Sequence, residues 1–305
     1  MKKFNYYDKS LDYVNDKNVS LDLHIKLMLS KTNRMFEYKG LPKTIPSTSL
    51  EHILQSKGSC VIAKVNGNLY ALWGGYGGEV DEYGRYTQYI VSNPWLNYNH
   101  VYGINGNDSG DNVECKNDLF SMGLVPIFKK FGTLITENYI TFKVLSISLR
   151  SILNMSASDD KTAISAREYL NQLENGKIGV IAENAFFDGV KTHNISNVGN
   201  NTITQFIELT QYLKANELQE IGINSSYNMK REYVGAEENL LNDDILRPFI
   251  DSMLEYRKQF CSKCNEIFGT NITVDFGSVW KTNALENEKE KDSYNKLIEG
   301  GNNEL

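Results

Sequence analysis

The stretch LFSMGLVPIFKKFGTLITENYITFKVLSISLRSIL, residues 119–153, is the longest periodic apolar run in the chain. Leu124, Ile127, Phe128, Phe131, Leu134, Ile135, Phe142, Leu145, Ile147 and Leu149 follow helical spacing but cover more than one face. A helix apolar on several faces must be buried on several faces, by its own chain or by neighbours. The stretch therefore predicts a long helix whose surroundings decide how the molecule is built.

Outward from it, the pattern changes twice. Toward the N-terminus, residues 44–117 hold short β-prone runs such as Cys60–Val65 and Tyr86–Val91, punctuated by Gly and Asn. Asn66-Gly67 between two such runs signals a hairpin. Before this module, Ser20 is a candidate cap for a helix from Leu21 to about Tyr38, stopped by Gly40 and Pro42. Residues 1–19 are polar and read as an arm. Toward the C-terminus, residues 154–200 return to short strands and turns, with a helical patch near Ala163–Leu173. Ile203, Phe206, Ile207, Leu213 and Leu218 predict a helix over 202–222 that stops at Gly222. Residues 223–244 are polar and aperiodic, a loop of a length that is usually functional or disordered. A helix from Asp243 or Asp244 to about Phe268 follows, with Pro248 in its first turn, and Asn271–Phe276 reads as a strand. The tail after about Glu286 is charged and Gly/Asn-rich, a composition of disorder.

Composition narrows the function classes. The formal charge of −6 argues against a protein that grips nucleic acid over its whole surface, but not against a few contacts per copy. Aromatic residues are 11%, mostly the 18 Tyr, which fits large half-polar contact surfaces. Four scattered cysteines in 305 residues do not make a disulfide framework and fit a reducing cytosol. The start has no apolar run of a signal peptide, and no uncharged apolar stretch reaches 18 residues.

No motif marks an active site. Gly74-Gly75-Tyr76-Gly77-Gly78 lacks the following Lys-Ser/Thr and helix of a phosphate-binding loop and reads as flexible turns between strands. Cys261-Ser-Lys-Cys264 has no second pair to complete a zinc site and lies late in a helix, so buried small hydrophobes are expected. His24, His52, His100 and His193 stand alone, and the pairs Asp159-Asp160 and Glu237-Glu238 read as solvated charge. The expectation is no catalysis, no cofactor and no metal. Lys230-Arg231, a basic pair within the aperiodic loop, is a candidate phosphate contact.

Four groups of residues carry a resemblance. They are Phe36–Pro42 with Thr44-Ile45, Pro46-Ser47 and Leu50-Glu51; Tyr169–Gln172 with Val180–Ala182 and Val190-Lys191-Thr192; Lys230–Val234 running to Asn242-Asp243; and Cys261–Gly269 with Asn271–Val274. In this order and with nearly this spacing they resemble portal (head–tail connector, upper collar) proteins of the phi-twenty-nine-like small podoviruses, from about residue 20 to 280.

The resemblance implies an α+β portal fold with long stem helices, a small SH3-like β module in the wing and a short β clip. Its parts are an arm 1–19, stem helices 20–38, 119–153 and 201–222, a wing module 39–118, a clip 154–200, a channel loop 223–244, a wing helix and strand 245–285, and a tail 286–305. It implies a ring of twelve copies at one capsid vertex of the virion, assembled in the bacterial cytoplasm. Implied partners are double-stranded DNA read without sequence specificity, a packaging ATPase, major capsid and scaffolding proteins, and lower collar or tail proteins. Phe131 and Leu145 then fall in subunit packing, and Lys191, Lys230 and Arg231 in DNA contacts. Ser225, Glu237, Glu238 and Asn242 fall in the channel loop. Two departures stand out. A second basic ring of the family falls near the neutral Asn200. The arm sets Lys2, Lys3 and Lys9 against Asp8 and Asp12, less basic charge than a packaging RNA would call for. Another ring-forming collar or tail adaptor is the alternative, and it would lack the polar channel loop.

Overall fold

The computed structural model describes residues 13–105, 110–148, 154–174, 190–193, 200–223 and 236–277. Among these the order of elements is α1 (Lys17–Thr32), β1 (Phe36–Lys39), α2 (Ser47–Lys57), β2 (Ser59–Val65), β3 (Asn68–Leu72), β4 (Gly74–Val80), β5 (Tyr86–Asn93), β6 (Tyr98–Gly103) and β7 (Asn112–Lys116). Then follow α3 (Val125–Ser148), β8 (Asn154–Ala157), α4 (Asp160–Glu174), β9 (Val190–His193), α5 (Asn200–Glu220), α6 (Ala236–Phe268) and β10 (Thr273–Phe276). The described residues divide into a smaller unit within 1–21 and 132–214 and a larger unit within 22–131 and 215–305.

The first helix starts earlier and ends earlier than the sequence predicts. Asp16, not Ser20, is the cap: its carboxylate accepts the N–H groups of Asn18 and Val19. After Thr32 the alternating Phe36-Glu-Tyr-Lys39 leaves the helix and forms β1, antiparallel to β10 with Phe36 opposite Phe276. The two rings stack at 5.7 Å between centroids. Partnership with a strand 240 residues away overrides the local helical spacing.

The β module contains a helix that periodicity did not reveal. In α2 the buried positions are Leu50, Glu51, Leu54 and Gln55, so two of the four core-facing residues are polar and the apolar period is broken. Gly58, at φ 84°, ends it. A side chain at Gly58 would collide with the carbonyl oxygen of Ser121, 1.8 Å from where its Cβ would lie. The expected hairpin is present: β2 and β3 pair across Asn66-Gly67, both left-handed at φ 49° and 84°, as a tight two-residue turn requires. The strands form two three-stranded antiparallel sheets, β3-β2-β7 and β4-β5-β6. The Gly-rich segment read as flexible turns is strand β4, paired along β5.

Two hydrophobic clusters form the core, and both lie in the larger unit. One gathers α1, α2, β7, α3 and α6 around Leu50, Leu54, Phe128, Met253 and Phe260; the other fills the strand module around Val61, Leu72, Tyr89 and Tyr102. His24 of α1 meets the buried Glu217 of α5 at 2.7 Å, and Lys130 meets Glu220 at 2.9 Å. In the smaller unit β8 pairs antiparallel with β9, and α4 covers 160–174, close to the helical patch read from sequence.

The last long helix differs most. It begins at Ala236 rather than 243–244, so Glu237, Glu238 and Asn242 belong to a helix and not to a loop. Acidic residues near a helix start are favoured by the unpaired N–H groups there. Pro248 consequently sits inside the helix, not in its first turn. It removes one backbone donor at that point.

Candidate functional site

Among the described residues the larger unit holds one fully buried Arg–carboxylate pair, and every part of it is occupied. Arg257 of α6 donates from Nε to Glu51 Oε1 at 2.8 Å and from Nη2 to Glu51 Oε2 at 2.9 Å, a bidentate pair fully out of solvent. The guanidinium also donates to the Asn117 side chain at 2.8 Å and the Met253 carbonyl at 3.0 Å, and it lies 4.0 Å from the centre of the Phe36 ring. Tyr38 donates its hydroxyl to Glu51 at 2.5 Å, and Gln55 donates to the other carboxylate oxygen at 2.9 Å. Burial pushes the Tyr38 hydroxyl well above its ordinary range, and the neighbouring Glu51 carboxylate adds to the rise. Burial by itself lowers the Arg257 pKa, but the Glu51 carboxylate beside it outweighs that and the guanidinium is held above its ordinary range. With its carboxylate saturated by donors and no opening to solvent, this cluster joins α2, β1, α6 and the segment after β7. It has no geometry for turning over a substrate.

The four cysteines, scattered in sequence, converge in the same core. Cys60 and Cys115 are direct partners across β2 and β7, and Cys261 and Cys264 of α6 pack in the same cluster. All four are buried free thiols. Burial pushes Cys261 and Cys264 up to about 12 and Cys115 well above its ordinary range, so these thiols stay protonated and unreactive. The reading of the CxxC pair as small hydrophobes thus extends to two further cysteines, whose proximity only the strand register reveals. Among the described residues no group of three or more His, Cys, Asp or Glu is arranged to hold a metal ion.

The smaller unit has the opposite character. Along α3, Phe128 and Phe131 are buried, but no residue from Glu137 to Ser146 is. Leu134, Tyr139, Phe142 and Val144 keep 47%, 43%, 36% and 50% of their surface exposed. Ile207, Leu209 and Tyr212 of α5 are exposed as well. The multi-faced helix is therefore left uncovered by its own chain over its second half. Of the two expected packing positions, Leu145 is half-buried and still offers surface, whereas Phe131 is buried within its own chain and offers none.

A third feature escaped sequence reading. Among the described residues the three most exposed aromatics, Tyr83, Phe120 and Trp95 at 82–85%, each stand two residues after an Asp or Asn whose side chain accepts their N–H. Asp81, Asn93 and Asp118 thus fix three turns of the larger unit. The last is the tightest: the buried Asp118 carboxylate also accepts from Met122 and Gly123, and Ser121 is left-handed at φ 52°. A fixed backbone removes the entropy cost of presenting an aromatic side chain to a partner. The pattern Asx-x-aromatic marks all three, but it recurs elsewhere, as at Asn68–Tyr70, so sequence alone did not single them out.

Of the expected DNA contacts, Lys191 lies in β9 opposite Ser156 of β8, in the smaller unit. Lys230, Arg231 and Ser225 lie outside the described residues. Glu237, Glu238 and Asn242 share the first turns of α6. No described helix is long and apolar enough to cross a membrane.

Comparison with known proteins adds the following. The family described as Phage Connector (GP10) matches residues 9–279. No curated protein sequence matches the chain. Among solved structures, the chain is similar to one in the portal and tail of native bacteriophage P68, with 15% identity and a TM-score of 0.44, covering 91% of this chain and 93% of the other. It is similar to a HK97 family phage portal protein from Corynebacterium diphtheriae, with 9% identity, a TM-score of 0.47 and coverages of 85% and 93%. It is also similar to a chain of the virion of a native gene transfer agent particle, with 11% identity, a TM-score of 0.44 and coverages of 92% and 85%.

Proposed function

This chain belongs to the phage connector family and has a portal or connector function, and from that premise we propose that it acts without catalysis as one subunit of a closed ring of twelve at a capsid vertex of the virion. The observation that carries the ring is the second half of α3. Apolar side chains at several angles around one helix are exposed in the single chain, and copies packed around an axis would cover them. In this reading α1, α3 and α5 contribute the stem, the strand module and α6 the wing, and 154–200 the narrow clip. Membership of the phi-twenty-nine-like group is supported by the collinear residues from Phe36 to Val274.

The channel would pass DNA of any sequence, so contacts should go to phosphates. At −6 per chain a ring carries a large negative charge that repels the duplex from the wall, while Lys191, Lys230 and Arg231 touch it lightly. An exposed ion pair contributes about 0.2–1 kcal/mol, small enough to be broken as DNA moves. The segment from Ser225 to α6 would face the duplex, with Glu237, Glu238 and Asn242 on the helix that follows it. A separate ATPase would drive packaging, capsid and scaffolding proteins would hold the wide end, and lower collar or tail proteins the narrow end.

The test is direct. Purified protein viewed by electron microscopy is expected to form rings with a central hole, and a chain that stays monomeric at high concentration would sink the proposal. Lys191→Ala is expected to leave rings intact and to change DNA retention in a salt-dependent way. Retention identical to wild type across salt would remove that residue from the channel.

A further inference from the structure

A ring is closed by a head-to-tail contact, so two different surfaces of one chain must fit each other. The smaller unit offers two that differ in shape and charge. The first is a groove of about 580 Å³ lined by Tyr13, Val14, Asn15, Tyr139, Phe142 and Lys143. Among the described residues its walls are mainly aromatic and aliphatic, and the charged side chain lining it is that of Lys143, whose Nζ donates to Asn15 Oδ1 at 2.9 Å.

The second surface is convex. Gln205, Glu208, Leu209 and Tyr212 stand at i, i+3, i+4 and i+7 on α5, so they share one face, and all four are exposed. Leu209 and Tyr212 keep 43% and 44% of their surface, so this face is open in the single chain. It presents two large apolar side chains beside one carboxylate. The groove presents apolar walls beside one ammonium.

We propose that the outward face of α5 in one copy seats in the groove between the 13–15 segment and α3 of the next, with Leu209 and Tyr212 filling it and Glu208 meeting Lys143. This rests on the ring reading above and assigns its contact to particular residues. The groove continues the exposed half of α3 that the ring is required to cover, and the matched charges fix the occupant as a second copy. An ion pair within an otherwise apolar contact also fixes register, since a slipped copy would bury one charge without the other.

Charge reversal tests it. Lys143→Glu and Glu208→Lys are each expected to weaken ring association about tenfold or more per contact, and the double variant to recover most of that loss. Because a reversal could act through folding, a second measurement is independent of charge. Val14→Cys with Leu209→Cys should give inter-copy disulfides and a ladder of oligomers on a denaturing gel after mild oxidation, the four native thiols being buried. Wild-type rings whose double variant is no better than the worse single, or that give no ladder, overturn the pairing and leave the ring reading standing. A monomeric wild type overturns both. If Lys143→Glu has its effect only while residues 1–12 are present, the chain's own first segment fills the groove, and the proposal is wrong.

Discussion

Phe128 and Phe142 stand on the same helix, fourteen residues apart, in two kinds of surroundings. Around Phe128 the larger unit supplies everything: α1, α2, β7 and α6 close over it, and a saturated ion pair of Arg257 and Glu51 ties α2 to α6 beside that core. Around Phe142 the smaller unit supplies little, and the ring keeps 36% of its surface. The lesson is that one apolar pattern serves two purposes. In the larger unit burial stabilises the subunit, whereas in the proposed ring the same kind of residue in the smaller unit would be covered by other copies. A substitution should therefore separate folding from assembly according to the half of α3, or the unit, in which it falls.

The largest effect is expected at the buried pair. Arg257→Ala or Glu51→Ala leaves one charge buried without its partner and should cost about 3–5 kcal/mol, read as the shift in a urea unfolding curve. Replacing both together, as Glu51→Leu with Arg257→Met, should recover much of the loss. If either single change is silent, the larger unit is not held together as described. Phe128→Ala belongs in the same range, about 3–5 kcal/mol, through the cavity it leaves.

Phe142→Asp sharpens the contrast. Subunit stability should move by no more than about 0.5 kcal/mol, as for an exposed position, while light scattering shows the ring lost. A Phe142→Asp chain that unfolds as readily as Phe128→Ala would erase the distinction between the units.

Smaller again is Asp118→Ala, which takes the acceptor from the N–H groups of Phe120, Met122 and Gly123. A loss of about 1–3 kcal/mol follows if those donors stay buried, with faster hydrogen exchange confined to that turn. The smallest effect concerns pH. Donation from the Arg85 backbone N–H, with further hydrogen bonds from the Arg85 side chain and the Tyr83 N–H, holds the exposed Asp81 carboxyl below its ordinary range. Its contribution is present above the unfolded carboxylate pKa of about 4 and fades as pH falls through the lower folded value. Protection of the Tyr83 and Arg85 amides, taken as exchange relative to the intrinsic rate at each pH, should fall over that range in wild type and stay flat in Asp81→Asn.

What sequence revealed depended on how local the cause was. The α3 run, the Asn66-Gly67 hairpin and the Gly222 stop are all written within a few residues of where they act. The helix α2 was hidden because Glu51 and Gln55 occupy core-facing positions, and only Arg257 and Thr32, far along the chain, make those polar groups acceptable there. Phe36 was drawn into a helix because its strand partner is Phe276. The convergence of four cysteines needs the β2–β7 register and the packing of α6. The collinear residues identified the family without explaining what any one of them does. Leu50-Glu51 and Cys261–Cys264, for instance, turn out to be core.

The pairing of β1 with β10 carries a consequence in time. Its partners are about 240 residues apart, and a ribosome adding roughly 5–20 residues per second needs on the order of tens of seconds to deliver the second strand after the first. Arg257 reaches Glu51 only late in the same interval. The exposed helix of the smaller unit is thus synthesised well before the larger unit can close. In the proposed ring, contacts that need a closed larger unit would therefore wait until both chains have received β10, so that the subunit folds first and the ring closes second.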